Sequence, residues 1–312
     1  MVSNALRRRT FTLASGAALA AGSRGAWAQA VAWSAGTEKP RTAAPPGATD
    51  CHHFIFDSRY PPDPASRLRP GEALPDEYRD LQARLGTTRH VVVQPSTYGT
   101  DNRLMLAALL DFGPDARGVA VVTPGVSDDA LKRMNEAGVR GVRFNLVEPG
   151  RTSLDMVRPL AERVASLGWL VQILMLGTQI AEHQDMLAQL PCPVLFDHFG
   201  RIPQPGGVES PGFVALRRLL DGGRAWVKLS APYQDSKFGP PTYADVGTVA
   251  RAFIQAAPER LVWATDWPHG TEQIKPDDAL LFDLLADWAP DPAVRDRILV
   301  ANPAALFGFP PV

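Results

Sequence analysis

The sequence has no surplus of positive charge, and this excludes one large class of partners. Its 312 residues carry 32 lysines and arginines against 33 aspartates and glutamates, so the formal net charge is −1. A protein that holds a nucleic-acid backbone concentrates lysine and arginine on one face or in one run, and no such run occurs here. We therefore expect no nucleic-acid partner.

Cysteines, long apolar runs and glycine-rich phosphate loops are also scarce. Cys51 and Cys192 are too few for a disulfide scaffold and do not have metal-ligand spacing. Beyond the N-terminus, no apolar run reaches the roughly 18 residues needed to span a bilayer. Neither G-x-G-x-x-G nor G-x-x-x-x-G-K-[ST] occurs, which disfavours nucleotide binding. A composition of 45% hydrophobic and 21% charged residues is that of a globular protein.

The N-terminus is typical of an export signal. Arg8 and Arg9 lie in the sequence RRRTFTL, an apolar run follows over 13–21, and 26–28 read Ala-Trp-Ala. A charged start, a short apolar run and a small-residue cleavage site are the three parts of a signal peptide, and the arginine pair resembles the twin-arginine signal. We expect residues 1–28 to be removed on export to the periplasm, with no membrane contact afterwards.

The remaining chain divides into a short linker and one long domain. Residues 29–49 are rich in alanine, proline, glycine and threonine, without a hydrophobic period, which predicts a flexible linker. From residue 50 to 312, eight short apolar runs alternate with helical patterns, as in parallel strands covered on both faces. Eight such units over about 250 residues predict a single-domain α/β fold, the (β/α)8 TIM barrel. The alternative is an open doubly wound sheet. The predicted strands are Cys51–Phe56, His90–Val93, Val119–Thr123, Gly141–Asn145, Leu170–Met175, Val194–His198, Ala225–Ser230 and Leu261–Thr265.

Polar side chains occur at the C-terminal ends of the predicted strands, where barrel enzymes place their chemistry. Taken singly, each has an ordinary structural role: Arg143 could form a salt bridge, Lys228 could reach solvent, and His198 could be a core histidine. Their occurrence at equivalent ends of several strands instead favours one shared site. The candidates are His52, Gln94, Ser96, Tyr98, Arg143, Asn145, His198, Lys228, Tyr233, Asp266 and His269.

Five segments carry a resemblance to a known family. They are Asp50-Cys51-His52, Gly141–Asn145, Phe196–Arg201, Trp263–His269, and Asn302-Pro303 with Leu306-Phe307. Over about residues 50–309 the chain resembles the amidohydrolase-related (amidohydrolase 2) barrel family, in the branch of 2-pyrone-4,6-dicarboxylate lactonase and galactarolactone isomerase. The resemblance implies an enzyme that acts on a small-molecule lactone.

The first strand departs from the family pattern of His-x-His. His52 is kept, but the second position is Phe54, and His53 should point out of the barrel if His52 points in. A zinc site would then consist of His52, His198 and Asp266, without another ligand from this strand. The lactonase and isomerase branch is described as working without metal. No cofactor is therefore favoured, and zinc or another divalent metal is the alternative.

The segment after the seventh strand also departs from the pyrone lactonase. That enzyme presents an arginine there for a substrate carboxylate, whereas this sequence has Gln234 near the same place. The segment is closer to the galactarolactone branch, which disfavours a dicarboxylated pyrone. Arg143, Arg201 or Lys237 could still hold one carboxylate.

Opening a lactone needs an activated water, a polarised carbonyl and help for the leaving oxygen. Asp266 is expected to take the proton from water, and Arg143 to pair with a substrate carboxylate. His269 or Tyr98 could serve the leaving group. The predicted catalytic residues are Asp266, His198, His52, Lys228 and His269, and the predicted substrate-binding residues are Arg143, Asn145, Gln94, Ser96, Tyr98 and Tyr233.

The sequence thus predicts a periplasmic hydrolase that opens a small carboxylated lactone or cyclic ester by attack of water. One alternative is a lactone isomerase, in which a substrate hydroxyl replaces water. Others are a zinc-dependent hydrolase or decarboxylase of the same superfamily, and a non-catalytic ligand-binding barrel. The sequence makes no prediction of the oligomeric state.

Overall fold

The computed structural model describes residue 1 and residues 30–148 and 150–312. The predicted signal peptide therefore lies outside the described residues, apart from Met1. In the part of the chain that is described, no helix is both long and apolar enough to cross a membrane.

Eight parallel strands form one sheet in the order of the chain, β1 to β8. The sheet closes on itself because β1 lies beside β8: the amide of Asp266 donates to the carbonyl of His52 over 2.9 Å, and the amide of Phe54 donates to the carbonyl of Trp267 over 2.9 Å. The predicted barrel is confirmed, and each strand overlaps its predicted run. The strands are β1 (Thr49–His53), β2 (Arg89–Val93), β3 (Ala116–Ala120), β4 (Val139–Asn145), β5 (Leu170–Leu174), β6 (Val194–Phe196), β7 (Ala225–Leu229) and β8 (Leu261–Trp263).

A helix follows each strand, and two short helices close the chain. Ser127 caps α3 by accepting the amide of Ala130 over 3.2 Å, as its position predicts. Before α4, residues 154–156 form a 3-10 turn, and the Ser153 hydroxyl donates to the carboxylate of Asp155. The helices are α1 (Pro75–Leu85), α2 (Arg103–Phe112), α3 (Asp128–Glu136), α4 (Val157–Ala165), α5 (Gly177–Ala188), α6 (Pro211–Asp221), α7 (Ala244–Ala256), α8 (Asp278–Trp288), α9 (Pro292–Asp296) and α10 (Asn302–Phe307).

The interior of the barrel changes from apolar to polar along the strands. Near the N-terminal ends, Val91, Leu195 and Val262 pack together, and Phe307 of α10 belongs to the same cluster. This apolar half stabilises the fold, while the C-terminal half is available for chemistry. The buried polar side chains of that second half include Arg143, Gln172, Asp197 and Lys228.

An irregularity in β1 sets which of its side chains enter the barrel. Asp50 pairs with His90 and His53 pairs with Val92, so three steps along β1 match two steps along β2. This extra residue is a β-bulge, which re-aims side chains locally. His52 reaches the buried interior, where its ring meets Lys228. His53 lies outside, with its ring stacked 3.5 Å from the ring of Tyr78 in α1, as the alternation predicts.

The segment before β1 is not a free tether in the structure. The amide of Arg41 donates to Asp283 of α8 over 3.0 Å, and the indole of Trp267 donates to the carbonyl of Ala32 over 2.8 Å. Arg84 of α1 donates to the carbonyl of Glu38 over 2.8 Å. Residues 30–48, expected to be a flexible linker, therefore contact α1, α8 and the loop after β8. Val31 and Ala48 are also buried in the hydrophobic core.

Candidate active site

A cavity of about 290 Å³ opens at the C-terminal ends of the strands. Its walls combine apolar side chains with charged ones of both signs, which suits a small polar ligand with an apolar body. Several of the predicted site residues line it, together with residues from the loops after β1 and β8. The lining is Phe54, Phe56, Ser66, Arg67, Leu68, Pro95, Ser96, Arg143, Asn145, Val147, Glu148, Leu174, His198, Arg201, Gln234, Asp266, Gly270 and Thr271.

The carboxylate of Asp266 lies between two imidazoles. Its Oδ1 is 3.7 Å from Nε2 of His52 and 3.7 Å from Nε2 of His198. Both separations exceed a direct hydrogen bond and match a polar group bridged by a small molecule such as water. Among the described residues, Nε2 of His52 is a buried nitrogen without a hydrogen-bond partner. The three side chains therefore face a common point with unused hydrogen-bonding capacity.

The backbone at two of these residues is in a sparsely populated conformation. His198 has φ 50° and Asp266 has φ 66°, although neither is glycine. His198 is the second residue after β6 and Asp266 the third after β8, so the chain turns sharply near the end of each strand. Such a left-handed conformation is costly for ordinary residues and persists where the surroundings enforce it, often at functional sites.

A buried ion pair lies beneath His52. Nζ of Lys228 is 2.9 Å from Oδ1 of Asp197 and 2.9 Å from Nδ1 of His52. Gln172 donates to the other Asp197 oxygen over 3.1 Å, and Nε of Arg143 lies 3.7 Å from that oxygen. Lys228 does not reach solvent, because it is fully buried. The Lys228 ammonium can only donate, so its contact favours an acceptor role for Nδ1 of His52 and a ring proton on Nε2, while Oδ1 of Asp197, an acceptor, lies farther from the same Nδ1, at 3.4 Å.

The pKa values of His52, His198 and Asp197 are lowered, and the pKa of Asp266 is raised. Burial, with help from Lys228, lowers the pKa of His52 to about 3, and burial lowers that of His198 to about 3. Burial raises the pKa of Asp266, against the opposing effect of His52. Burial would also raise the pKa of Asp197, but Lys228 and His52 outweigh it and hold that pKa well below the usual value. At neutral pH both imidazoles are therefore neutral and Asp197 is a carboxylate.

Two predicted residues lie behind Asp266 rather than in the lining. The Tyr233 hydroxyl donates to Oδ2 of Asp266 over 2.9 Å and is 2.9 Å from Nδ1 of His269. Nε2 of His269 is in turn 3.1 Å from Oδ2 of Asp278. His269 is fully buried, which places it against Tyr233 and Asp278 and away from the leaving-group position expected from the sequence.

The predicted substrate-binding residues are divided between the cavity and its surroundings. Asn145 donates to Ser96 Oγ over 3.0 Å, and both line the cavity with Arg143. The Gln94 amide instead donates to the carbonyl of Asp101 over 2.8 Å. The Tyr98 hydroxyl accepts the amide of Asp57 over 2.9 Å and lines a neighbouring hollow. The structure thus brings Arg143, Asn145 and Ser96 to the site, and directs the Gln94 side chain to the loop after β2 and the Tyr98 side chain to the loop after β1.

Three residues of the site were not selected from the sequence. Asp197 precedes His198 in a segment already quoted, and Gln172 interrupts the apolar run of β5. A polar residue inside a buried strand was the available signal in both cases. Ser230, whose Oγ is 2.8 Å from Nδ1 of His198, gives a similar signal at the end of β7.

Ligand atoms of His52, His198 and Asp266 lie within 4.8 Å of one another, a spacing that could hold a divalent cation. A histidine that binds a metal normally donates its other N–H to a carbonyl or carboxylate. At His52 the other nitrogen lies 2.9 Å from the Lys228 ammonium, a donor, and 3.4 Å from Oδ1 of Asp197, an acceptor. The spacing fits a cation, and the nearer Lys228 contact disfavours it because it directs the ring proton to Nε2, where a metal would bind.

The fold and the site together define a barrel enzyme with a carboxylate and two neutral imidazoles at the mouth of the barrel. The chain belongs to the amidohydrolase family, whose sequence profile, described as Amidohydrolase, matches residues 48–309. This confirms the family resemblance.

Three curated relatives match most of the chain. The 2-pyrone-4,6-dicarboxylate hydrolase of Comamonas testosteroni is 36% identical over 288 residues, covering 88% of this chain and 94% of that protein. The 4-sulfomuconolactone hydrolase of Hydrogenophaga intermedia is 36% identical, covering 86% and 91%. The D-galactarolactone isomerase of Agrobacterium fabrum is 33% identical, covering 88% and 95%.

Two crystal structures share the fold at substantial sequence identity. An apo protein of Agrobacterium tumefaciens superposes with a TM-score of 0.84 at 32% identity, covering 90% of this chain and 99% of that chain. A probable 2-pyrone-4,6-dicarboxylic acid hydrolase of Acinetobacter baumannii, with citric acid bound, has a TM-score of 0.74 at 25% identity, covering 84% and 100%.

Proposed function

We propose that the protein opens a small carboxylated lactone by attack of water and needs no metal to do so. The observation that carries the proposal is the position of Asp266, whose Oδ1 lies 3.7 Å from Nε2 of both His52 and His198 beside a cavity lined by arginines. The names of the lactone hydrolases among its relatives agree with this chemistry.

Asp266 is placed to activate the water. A molecule held at the common point of the two imidazoles and Oδ1 would be within hydrogen-bond reach of the carboxylate. Because burial raises the pKa of Asp266, the carboxylate is a stronger base than an ordinary aspartate. The water oxygen bonds to the lactone carbon, and its proton passes to Asp266. The ring C–O bond then breaks, and Asp266 returns the proton to the released oxygen.

The neutral imidazoles are placed to stabilise the charge on the carbonyl oxygen. With Nδ1 accepting from Lys228, His52 presents Nε2–H toward the cavity. A neutral N–H donor that is already in place stabilises an oxyanion without a cost of reorganisation. Lys228 and Asp197 act through His52, because they fix its tautomer and orientation rather than touching the substrate.

Arginines give the cavity affinity for an anionic substrate. Arg67, Arg143 and Arg201 line it, against the acids Glu148 and Asp266. Nε of Arg143 is a buried donor without a hydrogen-bond partner among the described residues, and Arg201 is already paired with Asp235 over 2.8 Å. A substrate carboxylate would satisfy the Arg143 guanidinium. The citric acid bound by a structural neighbour is likewise a small polycarboxylate.

A panel of carboxylated lactones and their methyl esters tests the proposal. We expect turnover of at least one carboxylated lactone. The kcat/KM of its neutral methyl ester should be about 10- to 100-fold lower than that of the free acid, since hydrogen bonds to charged groups contribute about 1.5–3 kcal/mol. The Arg143→Gln variant should lose this preference. Equal rates for acid and ester would contradict the substrate class, and the absence of turnover across the panel would contradict the activity.

Isomerisation is the second candidate, and one position favours it. Gln234 lines the cavity, and its Nε2 lies 3.5 Å from Oδ2 of Asp266. Its uncharged amide could orient a substrate hydroxyl. The D-galactarolactone isomerase relative agrees with this alternative. Turnover in H₂¹⁸O distinguishes the two reactions, because hydrolysis incorporates one labelled oxygen into the product and isomerisation incorporates none.

We also propose export to the periplasm by the twin-arginine route. The support is the sequence alone: Arg8 and Arg9 before a short apolar run, and Ala-Trp-Ala at 26–28. The paired change of Arg8→Lys and Arg9→Lys should retain precursor in the cytoplasm. Cell fractionation that finds unchanged periplasmic protein would contradict the route.

A further inference from the structure

A chain of buried hydrogen bonds extends from the catalytic carboxylate to the start of α8. Oδ2 of Asp266 accepts from the Tyr233 hydroxyl, which is 2.9 Å from Nδ1 of His269. Nε2 of His269 is 3.1 Å from Oδ2 of Asp278. His269 and Asp278 are both fully buried, so solvent does not compete for the contact between them, and Tyr233 is partly buried. The chain therefore runs from the reacting group to a second, remote carboxylate.

The order of donors along this chain follows from the groups at its ends. A carboxylate can only accept, so the single hydroxyl proton of Tyr233 points to Asp266, and the Tyr233 oxygen must accept from Nδ1–H of His269. At the far end, Nε2 of His269 meets Oδ2 of Asp278 in the first turn of α8. With Nδ1 donating to the Tyr233 oxygen, His269 does not compete for the Tyr233 proton.

The backbone around the chain is anchored from two sides. Nζ of Lys275 donates to the carbonyl of His269 over 2.7 Å. The amide of Asp278 donates to Oγ of Ser34, in the segment before β1, over 3.2 Å, and the amide of Ala35 donates to the carbonyl of Pro276 over 2.9 Å. The anchors fix His269, whose φ of 55° is itself unfavourable for a residue other than glycine.

We propose that Tyr233, His269 and Asp278 form a positioning chain that holds Asp266 with Oδ1 between the two imidazoles. By occupying Oδ2 with a directed donor, the chain leaves Oδ1 as the atom that meets the water. The inference rests on the proposed function, because it assigns Asp266 the role of base. It also gives His269 a positioning role in place of the leaving-group role expected from the sequence.

The Tyr233→Phe variant tests the positioning chain, with Tyr78→Phe as a matched control. Tyr78 is a fully buried tyrosine whose hydroxyl, like that of Tyr233, donates to an aspartate, Oδ2 of Asp50, over 2.9 Å, but it lies outside the barrel. We expect Tyr233→Phe to lower kcat about 10- to 100-fold with KM nearly unchanged, since it removes one hydrogen bond to a charged group. Tyr78→Phe should lower the melting temperature and leave kcat near that of the wild type. Equal kcat for wild type and Tyr233→Phe would overturn the proposal.

A spectroscopic measurement keeps the inference separate from the proposed function. In protein with ¹⁵N-labelled histidine, the positioning chain requires a proton on Nδ1 of His269, with the His269→Asn variant supplying the assignment. The Asp278→Asn variant should lower kcat by less than Tyr233→Phe. An Nδ1 without a proton in the wild type would overturn the positioning chain even if a lactone is turned over. Lack of turnover with the proton on Nδ1 would instead reject only the proposed function.

Discussion

Two adjacent histidines in β1 illustrate how the same residue type serves different purposes on the two faces of a barrel strand. His52 and His53 are both fully buried. His52 enters the barrel, where its ring nitrogens meet Lys228 and face Asp266. His53 lies between the sheet and α1, stacked on Tyr78 with its Nε2 2.7 Å from Nδ1 of His90. One face holds charged groups beside a cavity, and the other holds a packed aromatic cluster.

The pKa values alone do not reveal this difference. Burial lowers the pKa of His52 to about 3 and that of His53 well below its usual value, so both imidazoles are neutral. What distinguishes His52 is its set of neighbours: a lysine, two aspartates and open space that a ligand can enter. A perturbed pKa indicates burial, and function has to be argued from the partners.

The largest expected effect comes from changing Asp266, the acid that faces the two imidazoles inside the barrel. Asp266→Asn keeps the shape of the side chain but removes its ability to accept a proton, so turnover should fall by about 10²- to 10⁴-fold. Substrate affinity should change far less, because in this interpretation Arg143 and the imidazoles bind the substrate. Steady-state kinetics together with thermal unfolding on the same preparation measure both properties.

Asp283→Asn is the matched control for this variant. Asp283 is a buried acid of α8 that accepts from the side chain of Arg41 over 3.1 Å, far from the cavity lining. We expect it to lose stability and to keep its kcat. If Asp266 served only to neutralise Lys228 or Arg143, Asp266→Asn would instead be strongly destabilised with near-normal turnover per folded molecule.

The adjacent histidines provide the next comparison. His52→Asn removes a donor aimed at the carbonyl oxygen and should lower kcat by about 10²-fold, the scale for one oxyanion donor. His53→Asn loses the stack on Tyr78 and should lower the free energy of unfolding by about 1–3 kcal/mol while kcat stays near the wild-type value. Similar losses of kcat in the two variants would show that the faces of β1 are not functionally distinct.

The sequence was sufficient for the barrel and for half of the site. Continuous apolar runs ending in polar residues located the strands, and the position of Asp266 and His198 at strand ends placed them at the mouth. The alternation rule also placed His53 outside. Side chains on one strand follow a period of two, so such features can be read locally.

Other features depended on neighbours that are distant in sequence. The contact between Lys228 and Asp197 joins two strands, and its geometry depends on the stagger of the barrel. Gln94 and Tyr98 follow β2 as a binding residue would, yet the conformation of the loop directs both side chains to backbone groups. The contacts of residues 30–48 with α1 and α8 are likewise distant in sequence, and they leave no periodic signal in this segment.

The pH dependence of the free energy of unfolding should reveal the buried state of His90, which packs with His53 and Tyr78 outside the barrel. Burial lowers the pKa of His90 to about 3, against 6.5 in the unfolded chain. Below pH 6.5 the unfolded state binds a proton that the folded state excludes, so this contribution to stability is complete above pH 6.5 and is lost as the pH falls. His90→Gln should therefore flatten the loss of unfolding free energy between pH 6 and 5 by about 1.4 kcal/mol per pH unit. An unchanged slope in urea titrations would mean that His90 is already protonated in the folded protein.

The smallest expected effect is that of removing metal from the inner face. Lys228 directs the ring proton of His52 to Nε2, and Phe54 packs its ring 4.7 Å from that of His52, where the family pattern has a second histidine. Treatment with a chelator should therefore leave kcat unchanged, and elemental analysis should find no stoichiometric zinc. The Phe54→His variant should bind zinc more tightly than the wild type, because it restores a ligand beside His52, His198 and Asp266. It should also turn over lactone more slowly, since it replaces an apolar wall of the cavity. Activity that is lost on chelation and restored by zinc would reverse this assignment and make these three residues the metal ligands.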